Sequence, residues 1–209
     1  MTPARCETGV VADELPQLIV ADAEAWRAWL ASNHQDPSGV WLVLAKKGTT
    51  SPTTLSYVQA LDEALCHGWI DGQVRRRDQA TFRQRFTPRR ARSQWSERNV
   101  SHVQRLHKQG RMHAAGERAV AQAQADGRWD AAYAGQSTIA VPDDLAAALA
   151  AQPQARAMFE ILTSQNRYAV LLRIDGAKRS DTRARRIEKF VTMLARGETI
   201  YPQRRKLPE

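Results

Sequence analysis

The side chains with chemical potential are concentrated between Leu55 and Asn99, where Trp69, Asp71, Arg75, Arg77, Arg83, Arg85, Arg89, Arg90, Arg92 and Trp95 all fall. Arginine forks hold phosphate or carboxylate through paired, charge-assisted hydrogen bonds, and tryptophan offers a stacking face for a base or ring. If this stretch folds as a hairpin, Trp69, Asp71, Gln73 and Arg75 share one face, and Arg83 and Arg85 join it from the neighbouring strand. A helix capped by Ser93 would place Trp95 and Asn99 four residues apart near its start and add unpaired backbone N–H groups, which favour anions. Lys46 belongs to the same candidate set, as do Lys178 and Arg183, which with Arg186 and Lys189 form a C-terminal basic group; Lys178 and Thr182, four apart, could form part of a second contact surface. A plainer reading stands beside this one. In it the tryptophans fill the core, the arginines solvate an outer face, and Asp71 neutralises one of them.

Other chemistries find less support. Cys66 and His67 are adjacent, so on a helix they point about 100° apart and do not form a nucleophile and base pair. A helix C-terminus also raises a thiol pKa, so Cys66 is expected to be a buried structural cysteine and His67 a favourable partner for the helix dipole. The five histidines show no metal-ligand spacing, and there is no C-x-x-C. No phosphate loop, dinucleotide fingerprint or G-x-S-x-G elbow is present, and no cofactor or metal is expected. An enzyme would have to use Asp71, His67 or Tyr57 as acid or base in a pocket beside Trp69.

The elements that must position these residues are legible in outline. Leu18–Val20 reads as a short strand, and Asp22 caps a helix carrying Trp26, Trp29 and Leu30 on one face. Asn33 to Gly39 is a loop, and Val40–Ala45, which contains Trp41, is a strand buried on both faces. Ser56 and Gln59 have the spacing of a capping box. The helix they start carries Val58, Leu61 and Leu65 on its apolar stripe, has Gln59, Asp62 and Glu63 away from it, and stops at Gly68. Ile70, Gly72 and Val74 then alternate with polar residues, as do Phe82, Gln84 and Phe86, predicting a hairpin with one core face and one arginine-rich face that ends at Pro88. Helices follow from Ser93 to Gly110, from His113 to Ala125, from Pro142, and after Pro153, the last bearing Ile187, Phe190, Val191 and Leu194 before Gly197.

Composition bounds the rest. With 209 residues, 43% hydrophobic, the chain can bury a real core, and its formal charge of +9 favours anionic partners. No apolar run reaches the length of a membrane span of roughly 20 residues. MTPARCETGVVADELPQLIV has acidic residues where a signal peptide needs its apolar segment, so a cytoplasmic location is expected.

The blocks ALCHGWIDG, FTPRRARSQWSERN and GRMHAAG, with AKRSDTRARRIEKFVTMLARG further on, closely resemble the YdeI/OmpD-associated family of bacteriocin-protection proteins, from about Trp26 to Gly197. Gly176 departs from the continuous helix otherwise expected there. The resemblance implies a small bacterial protein linked to resistance against cationic antimicrobial agents and to envelope stress, and it carries no catalytic residues or cofactor. The expected fold is α+β: a small antiparallel or mixed sheet with helices in the N-terminal part, followed by an all-helical C-terminal region. It divides into a flexible leader (1–15), an α+β domain (16–133), a helical OmpD-associated-type module (141–197) and a tail (198–209) that is expected to be mobile after Tyr201. Three functions are open: a resistance protein binding an anionic small molecule or acidic protein, a sequence-independent nucleic-acid binder, and an enzyme. Oligomeric state is not readable from the sequence.

Overall fold

A computed structural model describes residues 17–207; the expected leader and Cys6 lie outside the described residues. The described chain forms two compact units. The first holds the residues up to Ser93 together with Asn99–Asp130, and the second holds Gln94–Arg98 together with the residues from Ala131 onward.

In the first unit, β1 (Gln17–Leu18) leads into α1 (Ala23–Asn33), whose first turn is capped by Asp22 accepting from the Ala25 N–H at 2.9 Å. Next come β2 (Val40–Ala45) and α2 (Tyr57–Cys66), the latter opened by the Ser56/Gln59 capping box. Gly68, at φ +76°, then turns the chain into β3 (Trp69–Arg76) and β4 (Thr81–Pro88). The four strands lie in the order β1-β2-β4-β3, with β1 parallel to β2 and the other pairs antiparallel, a mixed sheet of the kind the sequence predicts. β2 is buried along its whole length. Val40, Leu42, Leu44, Phe86 and Trp69 pack with Trp26 and Leu30 of α1 and Ala60 and Ala64 of α2, so the two helices cover one face of the sheet. Burying such side chains stabilises by about 1.5–3 kcal/mol each, which is what holds the hairpin onto the helices.

Two expectations fail here, each for a packing reason. Val58 is half exposed, whereas Asp62 and Glu63 are buried, because α2 is enclosed on both sides and not only along one stripe. The next helix, α3, begins at Glu97 and runs to Lys108. Ser93 does not cap it: the Ser93 hydroxyl accepts from the Arg90 N–H at 3.1 Å while the Arg90 carbonyl accepts from the Ser93 N–H at 2.9 Å, closing a turn before the helix. α4 (Ala114–Ala125) follows as expected, with His113 at its cap.

The second unit contains α5 (Asp143–Ala150), α6 (Pro153–Glu160), α7 (Ser164–Asp175) and α8 (Ser180–Ala195). Gly176 does end a helix, closing α7. Leu145, Met158, Phe159, Ile174, Phe190 and Leu194 form its own core. Beyond Gly197 the chain makes contacts with this unit as far as it is described. The Tyr201 carbonyl and the Gln203 side chain both accept from the Asn166 amide at 2.9 Å, and Leu207 packs on the core.

Gly116 is where α4 meets α2: a Cβ there would lie 2.2 Å from the Cys66 carbonyl oxygen. Alanine is the better helix former by about 1 kcal/mol, but an overlap with backbone costs about 1–3 kcal/mol or more. Gly116→Ala is therefore expected to lose about 1–2 kcal/mol in urea unfolding, and a stabilised variant would show that α4 does not abut α2.

Candidate anion-binding site

The register of the sheet decides which arginines meet. Across β2 and β4 the pairs are Val40 with Phe86, Trp41 with Arg85, Leu42 with Gln84 and Val43 with Arg83. Paired residues point to the same side, so Trp41, Val43, Arg83 and Arg85 occupy the face turned away from α1 and α2. β3 pairs Asp71 with Phe86, but Val74 with Gln84 and Arg75 with Arg83, with an extra residue between Asp71 and Val74. This β-bulge inverts the phase of the strand. Trp69 and Asp71 therefore face the helices, and Arg75 alone of the expected β3 set joins Arg83 and Arg85. Gln84 steadies the bulge by donating to the Gly72 carbonyl at 2.8 Å.

The floor of the arginine face is Trp41, which is 2% exposed. The Arg75 guanidinium carbon lies 4.8 Å from the centre of its ring and that of Arg83 5.9 Å, both within cation–π range. Arg75 and Arg83 are direct cross-strand partners, a like-charge pairing that repels. Arg85 donates from Nη2 to the Ser38 carbonyl, and Asp36 stands near enough to oppose the lowering of the Arg85 pKa that burial causes. The Asp36 carboxylate is itself held below its ordinary pKa, first by the Ser38 hydroxyl and then by the Ser38 N–H. Arg83 Nε and Arg85 Nη1 are shielded from solvent and have no hydrogen-bond partner among the described residues.

The remaining expected residues do not gather there. Trp69 is fully buried in the helix-side core and donates its indole N–H to the His34 carbonyl at 2.8 Å. Asp71 accepts from the Tyr57 hydroxyl at 2.8 Å. Lys46 is engaged by the hairpin turn, donating to the carbonyls of Asp78 at 2.8 Å and Gln79 at 3.1 Å. Arg89 is half-buried beyond β4, its backbone N–H donating to the Gly68 carbonyl at 2.9 Å. Trp95 precedes α3 and Asn99 lies in its first turn, both buried. Lys178 is exposed between α7 and α8 of the second unit, where Arg183 is clamped on Asp144 at 2.5 and 3.0 Å. Trp41 is the component that sequence reasoning missed. Gly72 inside a strand pattern was the one signal that the face assignment of β3 would break.

Of the groups proposed for catalysis, Tyr57 and Asp71 are bonded to each other and His67 is engaged elsewhere. His67 is buried, with Nδ1 2.9 Å from the Glu63 carbonyl and its ring stacked 4.9 Å from that of His113, so it is not the simple dipole partner expected. Burial pushes the Cys66 thiol up to about 11, with the Glu63 charge adding to the effect. Among the described residues no group of His, Cys, Asp and Glu is arranged to hold a metal ion, and no helix is long and apolar enough to cross a membrane. In a Cys6→Ser background, Cys66 should react with a thiol reagent at pH 8 more than about 100-fold slower than in the unfolded chain, since a thiol of such pKa is ionised there to roughly one part in a thousand. Fast labelling of the native protein would restore Cys66 as a nucleophile.

Comparison with known families divides the chain. Residues 138–197 match the family described as "Bacteriocin-protection, YdeI or OmpD-Associated". Residues 18–119 match a family described only as "Domain of unknown function (DUF8412)", and the sequence blocks ALCHGWIDG, FTPRRARSQWSERN and GRMHAAG fall inside that segment. No curated protein and no solved structure matches the chain.

Proposed function

We propose that this chain, which carries a bacteriocin-protection, YdeI- or OmpD-associated module at residues 138–197, is a cytoplasmic resistance protein that binds an oxyanion on the arginine face of its sheet. The observation that carries this reading is the pair of shielded guanidinium nitrogens, Arg83 Nε and Arg85 Nη1, with no hydrogen-bond partner among the described residues. A buried donor left unmade costs about 1–3 kcal/mol, and more when it is charged. A phosphate or carboxylate bridging Arg83 and Arg85 would recover that cost and screen the repulsion between Arg75 and Arg83.

Nucleic acid would have to be held through its phosphates alone. Trp41, Trp69 and Trp95 are each at most 2% exposed, so the tryptophans expected to stack bases are not presented for it. The catalytic alternative loses support for a similar reason, since Trp69 is fully buried and His67 is engaged by the Glu63 carbonyl, apart from the hydrogen-bonded pair of Tyr57 and Asp71.

Inorganic phosphate tests the reading. At about 100-fold over its dissociation constant, a ligand adds about 2.7 kcal/mol, which for a chain of this size raises Tm by about 5–10 °C. That shift is expected in the wild type and should vanish in Arg83→Gln/Arg85→Gln, which removes the charge while keeping much of the side-chain volume. Equal shifts in both proteins would mean that phosphate acts only as an excluded salt, and would sink the site. Single-stranded oligonucleotide run alongside at low and physiological salt separates nucleic acid from free anions, because phosphate-dominated binding must weaken steeply with salt.

A further inference from the structure

Three helix ends meet at three histidines in the first unit. His34 is the C-cap of α1, His67 the C-cap of α2 and His113 the N-cap of α4. Their ring centres are 4.9 Å apart for His67 and His113, 5.0 Å for His34 and His113, and 6.3 Å for His34 and His67. The neighbouring backbone assigns a proton position to each ring. His67 Nδ1 lies 2.9 Å from the Glu63 carbonyl and His34 Nδ1 lies 3.3 Å from that of Ala31, so both nitrogens carry hydrogen. His113 Nδ1 accepts from the Ala115 N–H at 3.2 Å, so it must be bare and the proton resides on Nε2.

The junction depends on that neutral form. The ring caps the first turn of α4 through Ala115, while the His113 backbone N–H donates to the Cys66 carbonyl at 3.0 Å and Gly116 lies close against the same carbonyl, so the negative end of α2 meets the positive end of α4. Protonating His113 turns its capping acceptor into a donor aimed at another donor. It also sets a cation at a helix N-terminus and beside two other imidazoles.

The charged groups around the cluster already have partners, Glu117 in the first turn of α4 lying 3.5 Å from His107. Glu63 of α2 is engaged by Arg27 of α1 at 2.8 Å and by Arg111, ahead of α4, at 2.5 Å. Asp62 of α2 is engaged by His102 and Arg105 of α3 at 2.8 and 2.7 Å. Cys66, the remaining titratable neighbour on α2, keeps its thiol proton throughout the neutral range.

We propose that the His34, His67 and His113 cluster is a proton-operated latch, which when neutral holds the first turn of α4 on the end of α2 and on proton uptake releases it. The electrostatics of His67 act in the same sense. Burial lowers its pKa from the ordinary imidazole value, and His113 and His34 lower it further, while the hydrogen bond to the Glu63 backbone and the Glu63 charge oppose the shift without cancelling it. A histidine depressed in the fold takes up fewer protons than in the unfolded chain. Its contribution to stability is thus fully present above about pH 6.5 and is lost as pH falls below that through the folded value.

Hydrogen exchange of the full chain at pH 7.5 and pH 5.5, corrected for intrinsic rates, tests the latch. Protection of the first turn of α4, from Ala115 to Glu117, is expected to fall at least about tenfold on acidification, the equivalent of one pKa unit. His113→Asn, which keeps a capping acceptor that does not titrate, should retain protection at both pH values. Unchanged protection in the wild type, or the same loss in His113→Asn, overturns the proposal. Should His113→Asn fold poorly, the ring-proton titration of His67 in the wild type decides instead: a curve displaced to lower pH than in the unfolded chain supports the latch, and an ordinary curve rejects it.

Discussion

The first unit is organised by the burial of two consecutive carboxylates on α2. Asp62 is 7% and Glu63 2% exposed, and a helix can carry such a pair into its surroundings only if each charge is met. Glu63 receives both arms of the Arg27 fork, at 2.9 and 2.8 Å, and Arg111 at 2.5 Å. Asp62 receives Arg105 at 2.7 and 2.8 Å and His102 at 2.8 Å. Burial alone would raise the Glu63 pKa, but the two guanidiniums outweigh it and hold the carboxylate below its ordinary range. Removing the cations of such a set would leave a buried charge unmatched, at a cost of about 3–5 kcal/mol. The consequence is geometric: α1, α3 and the approach to α4 are each held to α2 by a cation, and α2 is held to the sheet by its apolar side.

The same requirement divides the arginines into classes that net charge cannot distinguish. Arg27, Arg105 and Arg111 neutralise the α2 acids, Arg128 pairs with Asp126, and Arg183 joins Asp144 to the Ile174 carbonyl. These cations are absorbed by the fold. Arg83 and Arg85 differ in kind, because among the described residues no buried carboxylate pairs with them on the far face of the sheet; Asp36 is exposed and already accepts from Ser38. A positive total of +9 therefore says little about binding, while the location of two incompletely bonded guanidiniums says more.

Local signals carried most of the fold. Periodicity, caps and stops placed α1, β2, α2, the hairpin and the C-terminal helices, because each depends on residues within a turn or two of one another. What was not legible depends on partners far away in sequence. Asp62 and Glu63 look like the solvated side of a helix until Arg105 and Arg111, 43 and 48 residues on, are brought to them. The face of Trp69 and Asp71 was misassigned because one inserted residue in β3 inverts every side chain on one side of it, and alternation alone cannot say where the inversion falls. Trp41 looked like core in an apolar run, and it is core. Its role as a floor for arginines follows only from the register of β2 against β4.

The second unit shows the same logic with neutral groups in place of ions. Asn166 is 1% exposed at the start of α7, with an amide that must find partners. It donates to the Tyr201 carbonyl and the Gln203 side chain and accepts from the Tyr201 N–H at 2.8 Å, while Gln203 in turn accepts from the Thr163 N–H at 3.1 Å. Tyr201 and Gln203 lie beyond Gly197, where the match to the bacteriocin-protection module ends. The folded unit is therefore longer than the matched segment. Its last residues belong to it for a physical reason, because without them a buried amide at the head of α7 would lose both acceptors and its donor at once.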